Sequence, residues 1–288
     1  MGNNPLISVL MTSYNREQFI AEAIESVLSQ TYKDFEFIIS DDASTDKTFK
    51  IAQSYEKNNS CIKLFRSPKN LGQFQNRNLA ATYANGDILV YVDSDDMIHS
   101  DALAYIADCF QKFPDAKYAS IYKDSNYSEP FAMNSRTAIK THFFKKSLLH
   151  IGPGGSVIKN ELFKVIGGFP ISYGPAGDMF YNIKAAVFTD SIILMPYDYL
   201  NYRRHDGQEI NNSYSYLFNG YRYFDDIMHL SQLPLNEEER TYLRIKNKRR
   251  FIVNLSKFIL KGGGIKNTIK AIRLAKFGVS DFFQGVFH

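Results

Sequence analysis

The chain has 288 residues, of which 44% are hydrophobic and 22% are charged, and this composition is that of an ordinary globular protein. No apolar run reaches the roughly 18 residues of a membrane-spanning helix, and the N-terminal Met-Gly-Asn-Asn-Pro sequence lacks a signal region, so we expect a cytoplasmic location. Two cysteines, Cys61 and Cys109, are too few for a disulfide framework or a structural zinc site.

The net charge of +4 is distributed unevenly along the chain. Residues 240–288 carry 12 Lys and Arg against a single acidic residue, Asp281, whereas the preceding part carries 22 basic and 29 acidic residues. A basic segment that follows an acidic body favours contact with a polyanion, of which a membrane leaflet and nucleic acid are the obvious candidates.

The N-terminal third alternates apolar runs of strand length with segments of helical periodicity. The apolar runs predict strands at residues 6–12, 35–40, 62–65 and 88–92. The segments between them predict a helix carrying Phe19 to Leu28, a helix from an N-cap at Ser44–Asp46 to about Tyr55, and a helix after the turn at Asn70–Gly72. This alternation predicts a parallel, doubly wound sheet, in which ligands bind beyond the carboxyl ends of the strands.

The middle of the chain has a weaker pattern. Ser100 is a suitable N-cap for the next helix, and a strand is expected at residues 117–122. Residues 124–151 show no clear period, and a loop with a sheet extension that covers the cleft would fit them. Further expectations are a helix at 160–167, a helix with Asp178 in its first turn, and one or two β segments within 191–202.

The C-terminal part is predicted to be helical from Leu217 onward. Pro234 interrupts it, a basic helix is expected at 244–261, a glycine joint at 262–264 and a further helix at 265–277. Interleaved aromatic and basic residues allow two interpretations, a helical cap on the body or in a homodimer, and peripheral contact with the inner face of a membrane. Nucleic-acid binding is disfavoured because no recognition motif accompanies the charge.

Three polar clusters follow predicted strands, at Thr12–Tyr14, Asp41–Asp42 and Asp93–Asp96. Because the carboxyl ends of parallel strands meet at one edge, the clusters should converge on one cleft. Neighbouring carboxylates repel one another, which favours a divalent-metal and diphosphate site at Asp93, Asp95 and Asp96; a solvated turn before the next helix is the alternative. The absence of GxGxxG and GxxxxGK[ST] argues against nicotinamide, flavin and P-loop nucleotide binding.

Several motifs together resemble those of a family 2 glycosyltransferase with a GT-A fold. In chain order they are Val-Leu-Met-Thr-Ser-Tyr-Asn-Arg, Ser-Gln-Thr-Tyr, Asp-Asp-Ala-Ser-Thr-Asp, Asn-Leu-Gly with Arg77-Asn78, Asp-Ser-Asp-Asp, Gly-Gly-Phe and Gly-Asp178. The match covers roughly residues 6–205. It implies a Rossmann-like, mostly parallel central sheet flanked by helices. It also implies a catalytic domain at 1–215, with a nucleotide-binding half at 1–97 and an acceptor half at 98–215. A basic helical extension follows at 216–288.

The resemblance also implies how a nucleotide-sugar donor is held. Thr12 and Tyr14 match residues that line the base pocket, and Arg77 lies near an arginine that helps to fix the nucleotide. Asp42 matches an aspartate that accepts a hydrogen bond from the base; uracil and thymine offer such a donor at N3, which makes a UDP-sugar the leading donor. On residue type alone, Tyr14 would equally suit a core position and Arg77 a surface position.

For the acidic cluster, the resemblance implies that Asp95 contacts the ribose and Asp96 binds the metal, with Asp95 and His205 as further metal candidates. Asp93 is expected to support the loop. Hard oxygen ligands and a diphosphate select Mg²⁺ or Mn²⁺ over zinc. The metal stabilises the charge that builds on the departing nucleoside diphosphate.

Asp178 matches the acidic residue that acts as general base in the family. A carboxylate within reach of the acceptor hydroxyl removes its proton as it attacks the anomeric carbon, which implies inversion in a single displacement. The family often has Glu-Asp at this point, whereas this chain has Gly177-Asp178. As a residue alone, Asp178 would also suit a helix N-terminus, where the macrodipole favours a negative charge.

These expectations describe a metal-dependent, inverting enzyme that moves a sugar from a UDP-sugar to a saccharide or lipid-linked saccharide acceptor in surface polysaccharide or glycoconjugate assembly. One alternative is a nucleotidyltransferase, which also combines an α/β fold with acidic residues and Mg²⁺. The other is a non-catalytic, membrane-associated subunit that binds a sugar nucleotide.

Overall fold

The computed structural model describes residues 4–206, 208 and 212–287. The strands are, in chain order, β1 (Ile7–Ser13), β2 (Phe35–Asp41), β3 (Ile62–Arg66), β4 (Ile88–Asp93), β5 (Met97–Ile98), β6 (Tyr118–Ile121), β7 (Phe131–Asn134), β8 (Ser156–Lys159), β9 (Ser191–Met195) and β10 (Leu200–Asn201). The α-helices are α1 (Ile20–Leu28), α2 (Thr48–Asn58), α3 (Gln73–Thr82), α4 (Ala102–Lys112), α5 (Ser135–Phe144), α6 (Asn160–Ile166), α7 (Gly177–Val187), α8 (Ser213–Met228), α9 (Glu237–Leu260), α10 (Ile265–Ala275) and α11 (Val279–Phe287).

A mixed sheet of eight strands, in the order β3-β2-β1-β4-β8-β6-β9-β7, forms the centre of the fold. The four strands β1 to β4 run parallel, as predicted, so their carboxyl ends lie at one edge of the sheet. β8 is antiparallel to both of its neighbours, β4 and β6, and β7 is antiparallel to β9 at the outer edge. The result is the mostly parallel sheet flanked by helices that the sequence led us to expect.

Burial on both faces explains why the first strands read as continuous apolar runs. In β1, Leu10 packs into the apolar core on one face, and Val9 and Met11 pack into the core on the other face. All three side chains are inaccessible to solvent. Alternate side chains of a strand point to opposite faces, so a strand covered on both sides needs apolar residues at every position.

A second, two-stranded sheet pairs β5 with β10 in antiparallel orientation, with Met97 opposite Asn201 and Ile98 opposite Leu200. The pairing is short, yet it joins segments about one hundred residues apart in sequence. It carries the residues after β10 directly over the end of β4.

Two helix N-termini differ from the prediction. α2 begins at Thr48, whose backbone N–H donates to the Asp46 side chain, while the Ser44 hydroxyl instead accepts from the backbone N–H of Asn15. α4 begins at Ala102, because Ser100 lies in the turn that follows β5, and the backbone N–H of Leu103 in its first turn donates to the Gln30 side chain. Within the predicted cap of α2, Asp46 therefore bonds the first turn of the helix whereas Ser44 does not, and Ser100 does not cap α4.

Residues 124–151 contain the strand β7 and the helix α5, whose N-cap Asn134 accepts from the backbone N–H of Arg136. The expected sheet extension is therefore present. The expectation that this region covers the cleft is wrong, because β7 lies at the sheet edge beyond β9 and His150 is the residue of this segment that lines the cleft. The central strand β8 was not predicted, because its four residues lie directly between the Pro-Gly-Gly turn at 153–155 and the first residue of α6.

The C-terminal helices form two layers. α8 and α9 contribute Tyr223, Ile227 and Leu243 to the main core, and a separate small core joins α8, α9 and α10 around Tyr221 and Phe251. α9 begins earlier than predicted, at a capping box in which Asn236 and Glu239 bond reciprocally. α11 lies within the predicted helical extension but after 265–277, the last helix for which the sequence predicted bounds. Among the described helices, none combines the length and apolarity needed to cross a bilayer.

Candidate active site

A cavity of about 1100 Å³, called the main cleft below, lies at the carboxyl ends of β1, β2 and β4. The three polar clusters converge on it, as the strand order predicted. Its lining includes all but one of the predicted site residues, namely Thr12, Tyr14, Asp42, Arg77, Asp95, Asp96 and Asp178. The exception, His205, reaches the same region by contacting Asp95.

Asp42 is fixed at the end of β2 by the loop that precedes α3. Its carboxylate accepts the backbone N–H groups of Leu71, at 2.7 Å, and Gly72, at 2.9 Å. Gly72 has φ 86°, a left-handed conformation that favours glycine. Each carboxylate oxygen has a second lone pair, so this nearly buried group keeps acceptor capacity toward the cleft.

The loop after β1 presents Tyr14 to the main cleft with 43% of its surface exposed. The next residue, Asn15, has φ 51°, and Ala43 at the equivalent place after β2 has φ 61°. The Asn15 side chain accepts the backbone N–H of Thr45 at 2.9 Å, which ties the two loops together. Left-handed backbone at a non-glycine residue such as Ala43 is strained, and strain of this kind concentrates at functional sites.

Arg77 and Asp93 form a buried ion pair on the floor of the cleft. One terminal nitrogen of Arg77 donates to Asp93, and the other lies 3.3 Å from the carbonyl of Gln73. Within the described residues, Nε of Arg77 is buried without a hydrogen-bond partner. Burial raises the pKa of Asp93, and the attraction of Arg77 opposes that rise without reversing it.

The oxygens of Asp93, Asp95 and Asp96 lie within 4.8 Å of one another, close enough to share one cation. The pKa of Asp96 is raised to about 7, chiefly by burial and further by the charge of Asp93, although its Oδ1 accepts the backbone N–H of Arg203 at 3.0 Å. Oxygen ligands of this kind suit Mg²⁺ or Mn²⁺, and a bound cation would offset the repulsion among the three carboxylates.

The carboxylate of Asp95 contacts two nitrogen-bearing side chains, those of Arg16 and His205. Its Oδ2 lies 2.8 Å from Nε of Arg16 and 2.9 Å from Nε2 of His205. Burial alone would raise the pKa of Asp95, but the hydrogen bonds from His205 and Arg16 outweigh it, so that the pKa is lowered. The His205 ring stacks on Phe19 with centroids 4.7 Å apart, so the imidazole is anchored on one side by an aromatic ring and on the other by Asp95.

Arg203 is a site residue that the sequence reasoning passed over. Its backbone donates to Asp96, and its guanidinium donates to the carbonyls of Asp95 and Phe19 and to the side chain of Glu22. The run Tyr-Arg-Arg-His after the last predicted strand places Arg203 two residues before His205 and contains the signal for it. Arg16 was likewise overlooked within Thr-Ser-Tyr-Asn-Arg.

Asp178 lies in the first turn of α7 and lines the main cleft together with the acidic cluster. Its Oδ1 accepts the backbone N–H of Met179 at 2.8 Å. Burial raises its pKa to about 7, while that hydrogen bond and the charge of Arg77 act in the opposite direction. The charges of Arg77 and Asp93 both act on this group, and all three residues line the same cleft.

The glycine before Asp178 has no room for a side chain. A Cβ at Gly177 would lie 2.6 Å from the ring of Phe74 and 2.9 Å from the carbonyl oxygen of Pro170. Phe74 is buried and stacks on Phe169. The acidic neighbour that the family often carries here is therefore replaced by an aromatic side chain from α3 that occupies the space.

Comparison with known proteins places this geometry in a family. A family model described as glycosyl transferase family 2 matches residues 8–167. The chain is 42% identical over 93 residues to UDP-Glc:alpha-D-GlcNAc-diphosphoundecaprenol beta-1,3-glucosyltransferase WfgD from Escherichia coli, a match that covers 32% of this chain and 36% of that protein. Matches to the first curated relatives likewise span less than half of their length, 40% and 35%.

Solved structures extend the similarity to the whole fold. Residues 1–349 of Staphylococcus aureus TarS in complex with UDP-GlcNAc superpose with a TM-score of 0.75 and 21% identity, covering 97% of this chain and 81% of that one. Mannosyltransferase PcManGT from Pyrobaculum calidifontis, in complex with GDP-Man and Mn²⁺, has a TM-score of 0.64 and 17% identity, with 98% and 87% covered. The sheet, the helices that flank it and the matched family residues lead to one conclusion: this chain belongs to glycosyl transferase family 2 and has a GT-A fold.

Proposed function

We propose that the protein is a metal-dependent, inverting glycosyltransferase that moves a sugar from a UDP-sugar to a saccharide or lipid-linked saccharide. The observation that carries the proposal is that Asp178 and the three-aspartate cluster line one cleft. The E. coli relative is named for UDP-Glc and a diphosphoundecaprenol acceptor, and the S. aureus neighbour was solved with UDP-GlcNAc. Both names support the proposed classes of donor and acceptor.

The donor is proposed to bind in the half of the cleft formed by β1, β2 and α3. Tyr14 offers an exposed ring for stacking on the base, with Thr12 beside it, and Asp42 offers a fixed acceptor for uracil N3–H. Arg77 borders the same space, and its positive charge would attract the phosphate groups of the nucleotide.

Asp95 and Asp96 are proposed to hold Mn²⁺ or Mg²⁺, with Asp93 completing the group of nearby oxygens. His205 fixes the orientation of Asp95 in this arrangement. When bound, the cation supplies stabilisation of the charge that develops on the departing UDP. The GDP-Man and Mn²⁺ complex of the P. calidifontis neighbour supports this assignment.

Asp178 is proposed as the general base. Its carboxylate accepts the proton of the acceptor hydroxyl as that oxygen forms a bond to the anomeric carbon, and the bond from this carbon to the UDP oxygen breaks on the opposite face. The configuration at the anomeric carbon is inverted, and no sugar becomes attached to the protein. The raised pKa of Asp178 makes the carboxylate a stronger base than an exposed aspartate.

The C-terminal helices are proposed to bring the enzyme to an anionic membrane surface. Phe283 and Phe287 of α11 stack on each other while 54% and 72% of their surfaces remain exposed. Ile265 of α10 is 75% exposed, and the neighbouring Lys266 and Lys270 are also exposed. Apolar burial and attraction to anionic lipid headgroups act together at such a surface.

The test is a screen of nucleotide sugars by thermal shift, with and without Mn²⁺, followed by product identification. We expect a UDP-sugar to raise the Tm only when Mn²⁺ is present, and Asp96→Asn to remove that gain. Asp115→Asn, which changes an exposed aspartate outside the cleft, serves as the matched control. Stabilisation by UDP-sugars that is insensitive to both chelator and Asp96→Asn contradicts the metal role.

Further assays on the same protein distinguish glycosyl transfer from nucleotidyl transfer and from binding without catalysis. Asp178→Asn should bind the UDP-sugar like the wild-type protein and lose most of its transfer activity. Release of pyrophosphate from a nucleoside triphosphate would instead indicate a nucleotidyltransferase. Donor binding without turnover across a broad acceptor panel would indicate a binding subunit.

A further inference from the structure

A second cavity of about 340 Å³ lies between α7 and the C-terminal helices α8 and α9. It shares three lining residues, His150, Met179 and Tyr216, with the main cleft, so the two cavities adjoin. Met179 directly follows Asp178 in α7. The second cavity therefore opens beside the proposed base, and its size falls within the range of about 300 to 1,000 Å³ that is usual for small-ligand sites.

The chemistry of this cavity differs from that of the main cleft. Its lining combines aromatic rings and side-chain amides with one arginine: the residues are Tyr216, Tyr221, Tyr223, Phe251, Asn247, Asn254 and Arg250, beside His150, Ala176, Met179, Leu217 and Gly220. Among the residues that the structure describes, no carboxylate lines this cavity, whereas five aspartates line the main cleft. Aromatic faces with nearby amides suit a sugar ring, and the arginine adds a positive charge.

Arg250 is the cation of this cavity. It donates to Oδ1 of Asn247 at 2.9 Å, and its guanidinium lies over the ring of Phe224, 5.1 Å from the centroid. Within the part of the chain that the structure describes, no carboxylate oxygen lies within 4.0 Å of its nitrogens. Burial and the charge of Arg250 lower the pKa of His150, so the imidazole that shares the cavity is neutral at pH 7.

Tyr223 connects the arginine to the reaction centre. Its side chain lines the cavity together with Arg250, and the charges of Arg250 and Asp178 both act on the pKa of its hydroxyl group. Met179, which directly follows Asp178, lines both cavities, so a ligand that contacts Arg250 could extend past Met179 toward Asp178. A guanidinium offers a planar fork of donors that matches a carboxylate or a phosphate, and Arg250 brings that fork to a cavity that has no acidic residue among its described lining residues.

We propose that this second cavity is the acceptor subsite, and that it takes an anionic saccharide whose phosphate or carboxylate group binds Arg250 while the sugar packs on the tyrosines. The assignment rests on the proposed glycosyl transfer. An acidic acceptor would be repelled by the aspartates of the main cleft, and the positive charge of Arg250 offsets that repulsion on the acceptor side. The same charge gives preference for an acidic sugar over a neutral sugar of equal shape.

The test measures retention of the full chain, loaded with UDP and Mn²⁺, on immobilised oligosaccharides. Three matched probes differ only at the terminal residue: glucuronic acid, glucose 6-phosphate and glucose. We expect the wild-type protein to bind one of the acidic probes about tenfold or more tightly than the neutral probe. The two acidic arms show whether a carboxylate or a phosphate is the preferred group.

Arg250→Met should abolish this preference, and Arg250→Lys should retain part of it, because lysine keeps the charge but loses the planar fork. Lys246→Met is the matched control: it removes one positive charge from the preceding turn of α9, from a residue that lies against Tyr242 and not in the cavity. It should keep the preference. Equal Tm values of the variants establish that each is folded.

The proposal is overturned if the wild-type protein retains neutral and acidic probes equally, if it retains none of them, or if Arg250→Met keeps the preference. Binding of UDP with Mn²⁺, measured by calorimetry on the same samples, separates this outcome from failure of the proposed function. A protein that binds no UDP in the presence of Mn²⁺ refutes the proposed UDP-sugar function on which the acceptor subsite rests. A protein that binds UDP normally but shows no charge preference refutes only the acceptor subsite.

Discussion

Arg77 donates to Asp93 at the floor of the cleft, where the Arg77 side chain is buried and 27% of the Asp93 side chain remains exposed. The pair places one positive charge beneath a cluster of three carboxylates and so lowers the net charge that a cation has to compensate. Arg77 therefore has a role before any nucleotide binds. The family resemblance implies that Arg77 contacts the nucleotide. The ion pair indicates a second role for Arg77, which is to stabilise the loop that carries the three aspartates.

Removal of one partner should cost more than removal of both. Arg77→Met leaves the half-buried Asp93 without its cation, and we expect the free energy of unfolding at pH 8 to fall by no more than about 3 to 5 kcal/mol, the range for a fully buried pair. The double variant Arg77→Met/Asp93→Asn should recover a large part of that loss, because the neutral amide has a smaller desolvation cost. Urea denaturation of the two single variants and the double variant measures the coupling.

A matched control for this cycle is Lys117→Met, which breaks the exposed ion pair with Glu161. Exposed pairs contribute little, so its effect should stay below about 1 kcal/mol. If the double variant is no more stable than Arg77→Met, the ion pair does not hold the floor of the cleft.

The sequence predicted most of the residues that line the cleft, but it did not predict the side-chain contacts that fix them in position. Asp42 and Asp93 follow long apolar runs, and strand order alone brings them together. His205 and Arg203 reach Asp95 and Asp96 through the two-residue pairing of β5 with β10, which is too short to produce a pattern. Contacts of that kind depend on tertiary packing and have no local signal.

The raised pKa of Asp178 leads to a prediction about pH and stability. The group titrates near 3.8 in the unfolded chain and near 7 in the folded protein, so between these values the folded state binds more protons. The free energy of unfolding should therefore fall as the pH rises from about 4 to about 7 and then level off. Asp178→Asn removes this dependence: the variant should match the wild type at pH 4 and exceed it at pH 8 by no more than about 4 kcal/mol.

Activity should depend on the same group in the opposite direction. The base has to be ionised to accept a proton, so transfer by the wild-type protein should rise with pH up to about 7. Thermal melts at pH 4, 6 and 8, together with the initial rate across this range, check both effects. Parallel Tm profiles of Asp178→Asn and the wild type would show that Asp178 is not buried as described.

Gly177 should not tolerate any side chain. Its missing Cβ leaves space for the ring of Phe74, and we expect Gly177→Ala to reduce the free energy of unfolding by about 1 to 3 kcal/mol through overpacking. Gly220→Ala is the control, since Gly220 lies in α8 with open space around it and alanine favours helix by roughly 0.5 to 1 kcal/mol. A Gly177→Ala protein as stable as the wild type would show that Phe74 moves aside freely.

Gly177 and the second cavity are two features that the sequence alone could not explain. Gly177-Asp178 was recognisable as a departure from the motif of the family, but Phe74, which explains it, lies about one hundred residues earlier in α3. Likewise, the helical nature of residues 216–288 was clear from periodicity, whereas the cavity between α7 and α9 arises only when both helices pack on α8.

The last prediction concerns the exposed apolar residues of α11. Phe283→Ser/Phe287→Ser should weaken sedimentation with vesicles containing anionic lipid by about tenfold or more, because burial of each ring contributes roughly 1.5 to 3 kcal/mol. Val165→Ser removes a side chain that is 69% exposed on α6, outside this surface, and should leave sedimentation unchanged. Binding should also fall as the salt concentration rises, since Lys266 and Lys270 attract the headgroups. Equal sedimentation of the double variant and the wild type would contradict membrane docking. Analytical ultracentrifugation tests the alternative: if the wild type is a dimer and the double variant is a monomer, the same surface mediates self-association.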